Sequence, residues 1–352
     1  MLDLRALALP VVAAPMAGGP STPELVAAVS DAGGLGMLAA GYKTPSAVAE
    51  QIATTRALTG APIGVNVFVP APSTGPSSTG VDTPATATLE QRAAVAGYRD
   101  LLVRDALPHG IDLPQPRWDD TDDYHDKITL LADVSPVDVV SLTFGCPSPD
   151  DVERLHRAGS TVVVTCTDVD EALAARDCGA DAIVVQGFEA GGHRGTHAVA
   201  KEPNRQDHLA LLPQCADAGL PMIAAGGIVS PGDTRRALDA GAVAVQAGTA
   251  FLRCPEAGTS ATYLDTLDRG GDLVITRAFS GRPARSLRNA FVDHYGDAAP
   301  SVFPQVDQLT KPLRADAARR GDPDGVAAWA GAGWAAIVAE EAAAVTRRLG
   351  VC

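Results

Sequence analysis

Aromatic residues make up only 4% of this 352-residue chain, and its 28 Lys and Arg are outnumbered by 42 Asp and Glu. No apolar run approaches the roughly 18 residues that a membrane span needs. Each shortage excludes something. A net charge of −14 repels nucleic acid and anionic membrane, so neither is an expected partner. The six cysteines are scattered without a CxxC pair, several inside apolar segments, and read as reduced core thiols of a cytoplasmic protein. The opening "MLDLRALALPVVAAPMAGG" lacks a basic leader and is broken by Pro10 and Pro15, which argues against a signal peptide. What is abundant instead is Ala, Val and 35 Gly, within a hydrophobic share of 46%, a composition that suits a buried sheet wrapped in Ala-rich helices.

A short signature recurs along the chain: "DAGGLG" at Asp31, "RAGSTV" at Arg157, "DCGADAI" at Asp177, "DAGLPMI" at Asp217 and "DAGAVAV" at Asp239. Each follows an amphipathic run and precedes a β-branched one, the pattern of a helix closed by glycine and followed by a buried strand. Strand candidates fall at residues 11–18, 35–40, 63–70, 137–145, 161–167, 181–187, 221–228 and 242–251. Eight nearly continuous apolar strands alternating with helices predict a closed (β/α)8 TIM barrel. A GxGxxG fingerprint is missing after the first strand, which argues against a doubly wound dinucleotide fold.

Two regions do not fit the repeat. We expect residues 1–70 and 134–256 to form the barrel. Residues 71–133 and 257–352 are expected to form a lid, or small helical subdomain, with a C-terminal extension. The Pro/Ser/Thr-rich stretch "APAPSTGPSSTGVDTPATAT" within the insertion reads as a mobile loop.

Active sites of such barrels lie at the C-terminal strand ends. The loops after strands seven and eight often hold a phosphate, because glycines let backbone N–H groups approach closely and a helix N-terminus follows. "AAGGI" (with Gly226 and Gly227) and "QAGT" (Gln246, Ala247, Gly248, Thr249) have that chemistry. The amides of Asn66 and Gln186 suit the edge of an isoalloxazine ring, and the turn Ala14, Pro15, Met16 would lay apolar surface against it. On these motifs alone a flavin competes with a sugar phosphate or a nucleotide. His193 and His197 are four apart, but Gly191, Gly192 and Gly195 make a helix there unfavourable and no further ligand lies nearby, so no metal is expected. Arg277, Arg282 and Arg285 are expected to brace packing. His208 is expected at the surface.

Taken together, "APMAGGPSTPELVAAVSDAGGLG", "GVNVFVP", "GFEAGGHRGTH", "PMIAAGGI" and "QAGTAFL" resemble the nitronate monooxygenase family, formerly the 2-nitropropane dioxygenases, and most of all its class I branch. The resemblance implies a TIM barrel with non-covalent FMN that oxidises alkyl nitronates, such as propionate 3-nitronate, with O₂ to a carbonyl compound and nitrite. It implies ring contacts from Asn66, Gln186, Gly191 and the adjoining Gly192. It implies phosphate contacts from Gly227 and Gln246 to Thr249, and catalysis by His193. Lys311 in "TKPLR" becomes a pocket wall, and Phe303 and Asp307 stand where tyrosines are expected in class I. The alternative on the same scaffold is an NAD(P)H:quinone reductase or enoyl-thioester reductase. Use of NAD(P)H stays open, as does the choice between monomer and homodimer.

Overall fold

A computed structural model of the protein describes residues 1–71 and 87–350. Most of the stretch expected to be a mobile loop lies outside the described residues. Eight strands run parallel in one sheet: β1 (Val11–Ala13), β2 (Gly36–Ala39), β3 (Ile63–Phe68), β4 (Val139–Thr143), β5 (Thr161–Cys166), β6 (Ala182–Gln186), β8 (Met222–Ala225) and β9 (Ala244–Ala247). The short β7 (Gly192–His193) leaves the barrel to join β10 (Leu273–Thr276) and β11 (Ala284–Leu287) in an antiparallel sheet of order β10–β11–β7. Strand β1 pairs with β9, and Val12 bridges Leu35 next to β2, so the barrel closes. The strand count expected from sequence is the one observed. Each strand ends somewhat earlier than expected, because the terminal glycines belong to loops.

The recurrent glycine signature also holds: Gly33, Gly159, Gly179, Gly219 and Gly241 all have positive φ at helix ends, where a side chain would be strained. Many of the helices start on a capping Ser, Thr or Asp side chain, as at Thr22, Ser148, Asp168 and Ser230.

Alternation along the strands divides the barrel into two chemistries. Outward residues such as Val11, Val65, Val140, Val164, Ile183 and Val245 pack beneath the helices in the main core. Inward residues at the strand starts (Val12, Met37, Val139, Val163, Val184, Ile223) form an apolar plug closed below by Leu4. Two residues further along, the inward positions become Asn66, Ser141, Thr165, Gln186 and Gln246. The same period of two thus builds a dry floor and a polar mouth.

A second core joins the helix Leu89–Ala106 to the helix Gln305–Arg320 through Val95, Tyr98, Leu102, Phe279, Val306 and Leu309. Two segments within the ranges expected for the subdomain and extension also contribute to the main core. The helix Tyr124–Thr129 contributes Tyr124 and Ile128 to the main core, and the last helix, Ala342–Gly350, contributes Val345 and Leu349. Both segments bury apolar faces against barrel strands and helices, not against the added layer. No helix among the described residues is long and apolar enough to cross a membrane.

Candidate active site

A cavity of about 590 Å³ opens at the C-terminal ends of the strands. Its lining brings together Ala14, Pro15 and Met16 after β1, Asn66 on β3, and Gln186 at the end of β6. Gly191, Gly192 and His193 reach it from the β6–β7 loop and β7. Gly226 and Gly227 follow β8, and Gln246, Ala247, Gly248 and Thr249 end β9. Lys311 reaches the cavity from the added helix. Phe303 does not line it. That residue packs behind the wall, its ring 5.5 Å from Phe144 and 6.2 Å from His193, because the Phe303–Pro304 segment enters the second layer just before the helix that carries Lys311.

The two amides are partly committed before any ligand arrives. Asn66 Nδ2 donates to Ser141 Oγ and Thr143 Oγ1, each at 2.9 Å, which leaves Oδ1 as its free acceptor. Gln186 is spent on its own loop: Nε2 donates to the His193 carbonyl at 3.0 Å and Oε1 accepts from Gly195 N–H at 2.9 Å. Its chief role is therefore to shape the loop that presents His193.

Two buried arginines pin the same loop. Arg194 donates to the carbonyls of Gln186, at 3.0 Å, and of Gly187, and has no solvent exposure. Arg285 donates twice to the Phe188 carbonyl and stacks 4.5 Å from the Phe188 ring. Gly191 is required by close approach: a Cβ there would stand 2.5 Å from Gly331 N and 2.6 Å from the Ala330 carbonyl carbon.

The His193 imidazole lies between aromatic neighbours, 5.7 Å from Phe144 and 5.4 Å from Trp329, and its Nε2 is 2.8 Å from Ser280 Oγ. Burial, helped by the positive charges of Arg282 and Arg314, pushes its pKa down to about 3, so the ring is neutral throughout the ordinary pH range. Arg282, expected only to brace packing, lies 3.8 Å over the Phe144 ring and donates to the Thr196 carbonyl at 2.8 Å. Burial pushes its own pKa down to about 9.

The depressed imidazole has a consequence for stability. Between pH about 3 and 6.5 the unfolded chain takes up a proton on His193 and the folded chain does not. Stability is therefore lost as pH falls through that window. Denaturant unfolding at several pH values is expected to show a shallower acid-side decline in His193→Gln than in wild type.

His197 does not join His193. Its Nε2 lies 3.0 Å from the Thr165 carbonyl, a structural bond. His208 is buried, not at the surface, because it opens the helix that packs behind the β6–β7 loop, 3.8 Å from Glu189. Sequence reading missed several lining residues: Tyr42, Lys43, Phe144, Trp329 and Arg314. Tyr42 and Phe144 adopt φ of 66° and 81°, and their positions just past a strand end were the one available clue.

A (β/α)8 barrel with a glycine-lined cleft and a buried histidine at the C-terminal strand ends has the architecture of an enzyme acting on small molecules. The family model "Nitronate monooxygenase" matches residues 2–345, and the chain belongs to that family. A probable nitronate monooxygenase of Bacillus subtilis is 34% identical over 95% of this chain and 92% of its own length. One from Staphylococcus aureus strain Newman is also 34% identical, over 94% and 90%. Among solved structures, a nitroalkane oxidase from Streptomyces ansochromogenes is 40% identical, covers 98% of this chain and 96% of its own, and superposes with a TM-score of 0.89. FabK from Thermotoga maritima shares the fold at 23% identity and a TM-score of 0.72. The protein is thus a flavin oxidoreductase of the nitronate monooxygenase family.

Proposed function

We propose that the chain binds FMN without a covalent link and oxidises alkyl nitronates, propionate 3-nitronate among them, with O₂ to a carbonyl compound and nitrite. The observation that carries this reading is the charge of the cavity. In a chain of net charge −14, the lining holds Lys43, Lys311 and Arg314 against a single carboxylate, Asp307. Arg314 neutralises that carboxylate at 2.6 Å. An anionic substrate is drawn to such a site, whereas a cationic one is not.

The residues present fit FMN. Gly226 and Gly227 have φ of 112° and 71°, so their backbone turns where a side chain would be strained. The N–H groups of Gly227 and Gly248 are taken up by no described residue, which leaves donors for a phosphate. Gly226, Gly227 and Gln246 to Thr249 would hold that phosphate. Asn66 Oδ1 and the backbone of Gly191 and Gly192 would meet the ring edge, with Ala14, Pro15 and Met16 against its face. The bound flavin supplies the electron acceptor and the reaction with O₂.

The protein's own part is to hold and to exclude. A nitronate is already deprotonated at carbon, so no base is needed to form it. Neutral His193 then offers a ring N–H to orient the nitro oxygens, with Ser280 fixing the ring. For a neutral nitroalkane, the class named for the Streptomyces relative, the same neutral imidazole is in the protonation state of a general base. The aromatic wall of Phe144, Phe68 and Trp329 keeps water from the reacting atoms. The test is an anaerobic titration of the yellow protein, in separate cuvettes, with propionate 3-nitronate, NADH and NADPH. Bleaching by the nitronate, with nitrite formed on admitting air, is expected. Bleaching by a pyridine nucleotide and not by the nitronate would make the protein a reductase and overturn the reading.

A further inference from the structure

Four non-glycine residues among those described have left-handed backbone: Tyr42, Asp122, Asp123 and Phe144. They are not scattered. Asp122 Oδ1 accepts the Tyr42 N–H at 2.8 Å, which joins the first three, and Phe68 links Tyr42 to Phe144 with ring separations of 5.4 and 4.7 Å. Backbone of this kind persists in non-glycine residues only where the surroundings hold it, commonly at ligand sites.

What forces it here is a strut. Asp122 Oδ2 stands 2.8 Å from Lys127 Nζ, and the Lys127 side chain is wholly buried. Lys127 lies on the helix Tyr124–Thr129, which is anchored in the main core through Ile128. On the other side, Asp120 accepts the Asp122 N–H at 2.9 Å and Gln308 Nε2 at 2.7 Å. Gln308 belongs to the helix that carries Asp307, Lys311 and Arg314. The strut therefore runs from the barrel core to the cavity wall and on to the added layer, and Tyr42 is what it holds in place.

Tyr42 lines the cavity, with its ring edge-on to Phe68 and 6.3 Å from Phe303. Its hydroxyl is buried and hydrogen-bonds to no described residue. Within the protein the ring is therefore held by its backbone and by packing, and its shape forms the wall. Its ring neighbours are Phe68 and Phe303, so truncation would open space at the cavity wall.

We propose that Tyr42, positioned by the Asp122–Lys127 strut, is the specificity-determining wall that limits the length of the aliphatic tail the cavity accepts. This rests on the reading of the site as one for alkyl nitronates. The experiment compares wild type with Tyr42→Phe, Tyr42→Ala, Tyr42→Leu, Asp122→Asn and Asp122→Ala. Two series are measured on the holoenzyme: kcat/KM for the nitronates of nitroethane through 1-nitrohexane, and calorimetric Kd for straight-chain carboxylates from propanoate to octanoate. Tyr42→Ala is expected to raise the preference for long over short tails by about tenfold in both series. Tyr42→Phe keeps the wild-type ratio. Asp122→Ala shifts the ratio in the same direction, and Asp122→Asn, whose side-chain oxygen still accepts the Tyr42 N–H, restores most of it. If Tyr42→Ala fails to fold, Tyr42→Leu carries the same expectation. A wild-type ratio in the truncated variants overturns the proposal. An unchanged ratio in Asp122→Ala overturns the strut. Should wild type produce no nitrite from any nitronate, the functional reading falls by itself and the carboxylate series still decides the role of Tyr42.

Discussion

Replacing His193 by alanine is expected to lower kcat/KM by roughly 10²- to 10⁴-fold, the range for loss of a positioned acid–base or orienting group. Flavin content should stay at the wild-type level. The separation follows from the geometry. The parts of His193 that shape the cofactor loop are its backbone atoms: the carbonyl accepts from Gln186, and the strand pairs with Ala284. Alanine keeps both. The imidazole itself touches only Ser280 and the aromatic wall, and it faces the cavity. Absorbance ratios of flavin to protein, read beside steady-state rates, check the prediction. Loss of flavin from a folded variant would make His193 a cofactor-binding residue, and full activity would remove it from the chemistry. Because its pKa is held near 3, wild-type kcat/KM should show no acid limb from this group near pH 6.5.

Arg194→Ala is expected to cost stability on the order of 3–5 kcal/mol, from the lost bonds to two buried carbonyls, of which that of Gly187 keeps only the Ala190 N–H at 3.2 Å, and from the void left by the side chain. Few exchanges in this chain should cost more. The guanidinium is fully enclosed and is what the Gln186 and Gly187 carbonyls turn towards. Arg194→Met fills the volume but removes the guanidinium's bonds to both carbonyls, so an intermediate loss is expected. Urea unfolding of the three proteins measures the order. Equal stability of Arg194→Met and wild type would mean that packing, not the hydrogen bonds, fixes the loop.

These two neighbours show what was legible in the chain. The barrel could be read because its strands are uniform apolar runs, five of them preceded by a glycine that closes a helix. The glycine loops that line the cavity could be read because glycine at a strand end is a local signal. His193 stood out for the same reason. Arg194, in the same motif, did not, because a buried arginine is recognised only by the carbonyls around it. Tyr42, Phe144, Arg282 and Trp329 come from segments far apart in sequence, and no local period announces their meeting. Phe303 was placed in the right neighbourhood but one layer too far in. His208 was assigned to the surface because a polar residue at a helix start is usually solvated, whereas this start faces the β6–β7 loop.

The pairing of β7 with β11 bears on how the enzyme is made. Ser280 lies 87 residues beyond His193, and Gly191 packs on Ala330 and Gly331, later still. A ribosome releases the last barrel strand, β9, well before it releases those residues. All eight barrel strands have thus left the ribosome while the β6–β7 loop is still without the strand and backbone that hold it. Flavin capture is then a late event in the life of the chain, and ribosome-stalled fragments ending near residue 270, which lack those residues and the last barrel helix as well, should be colourless.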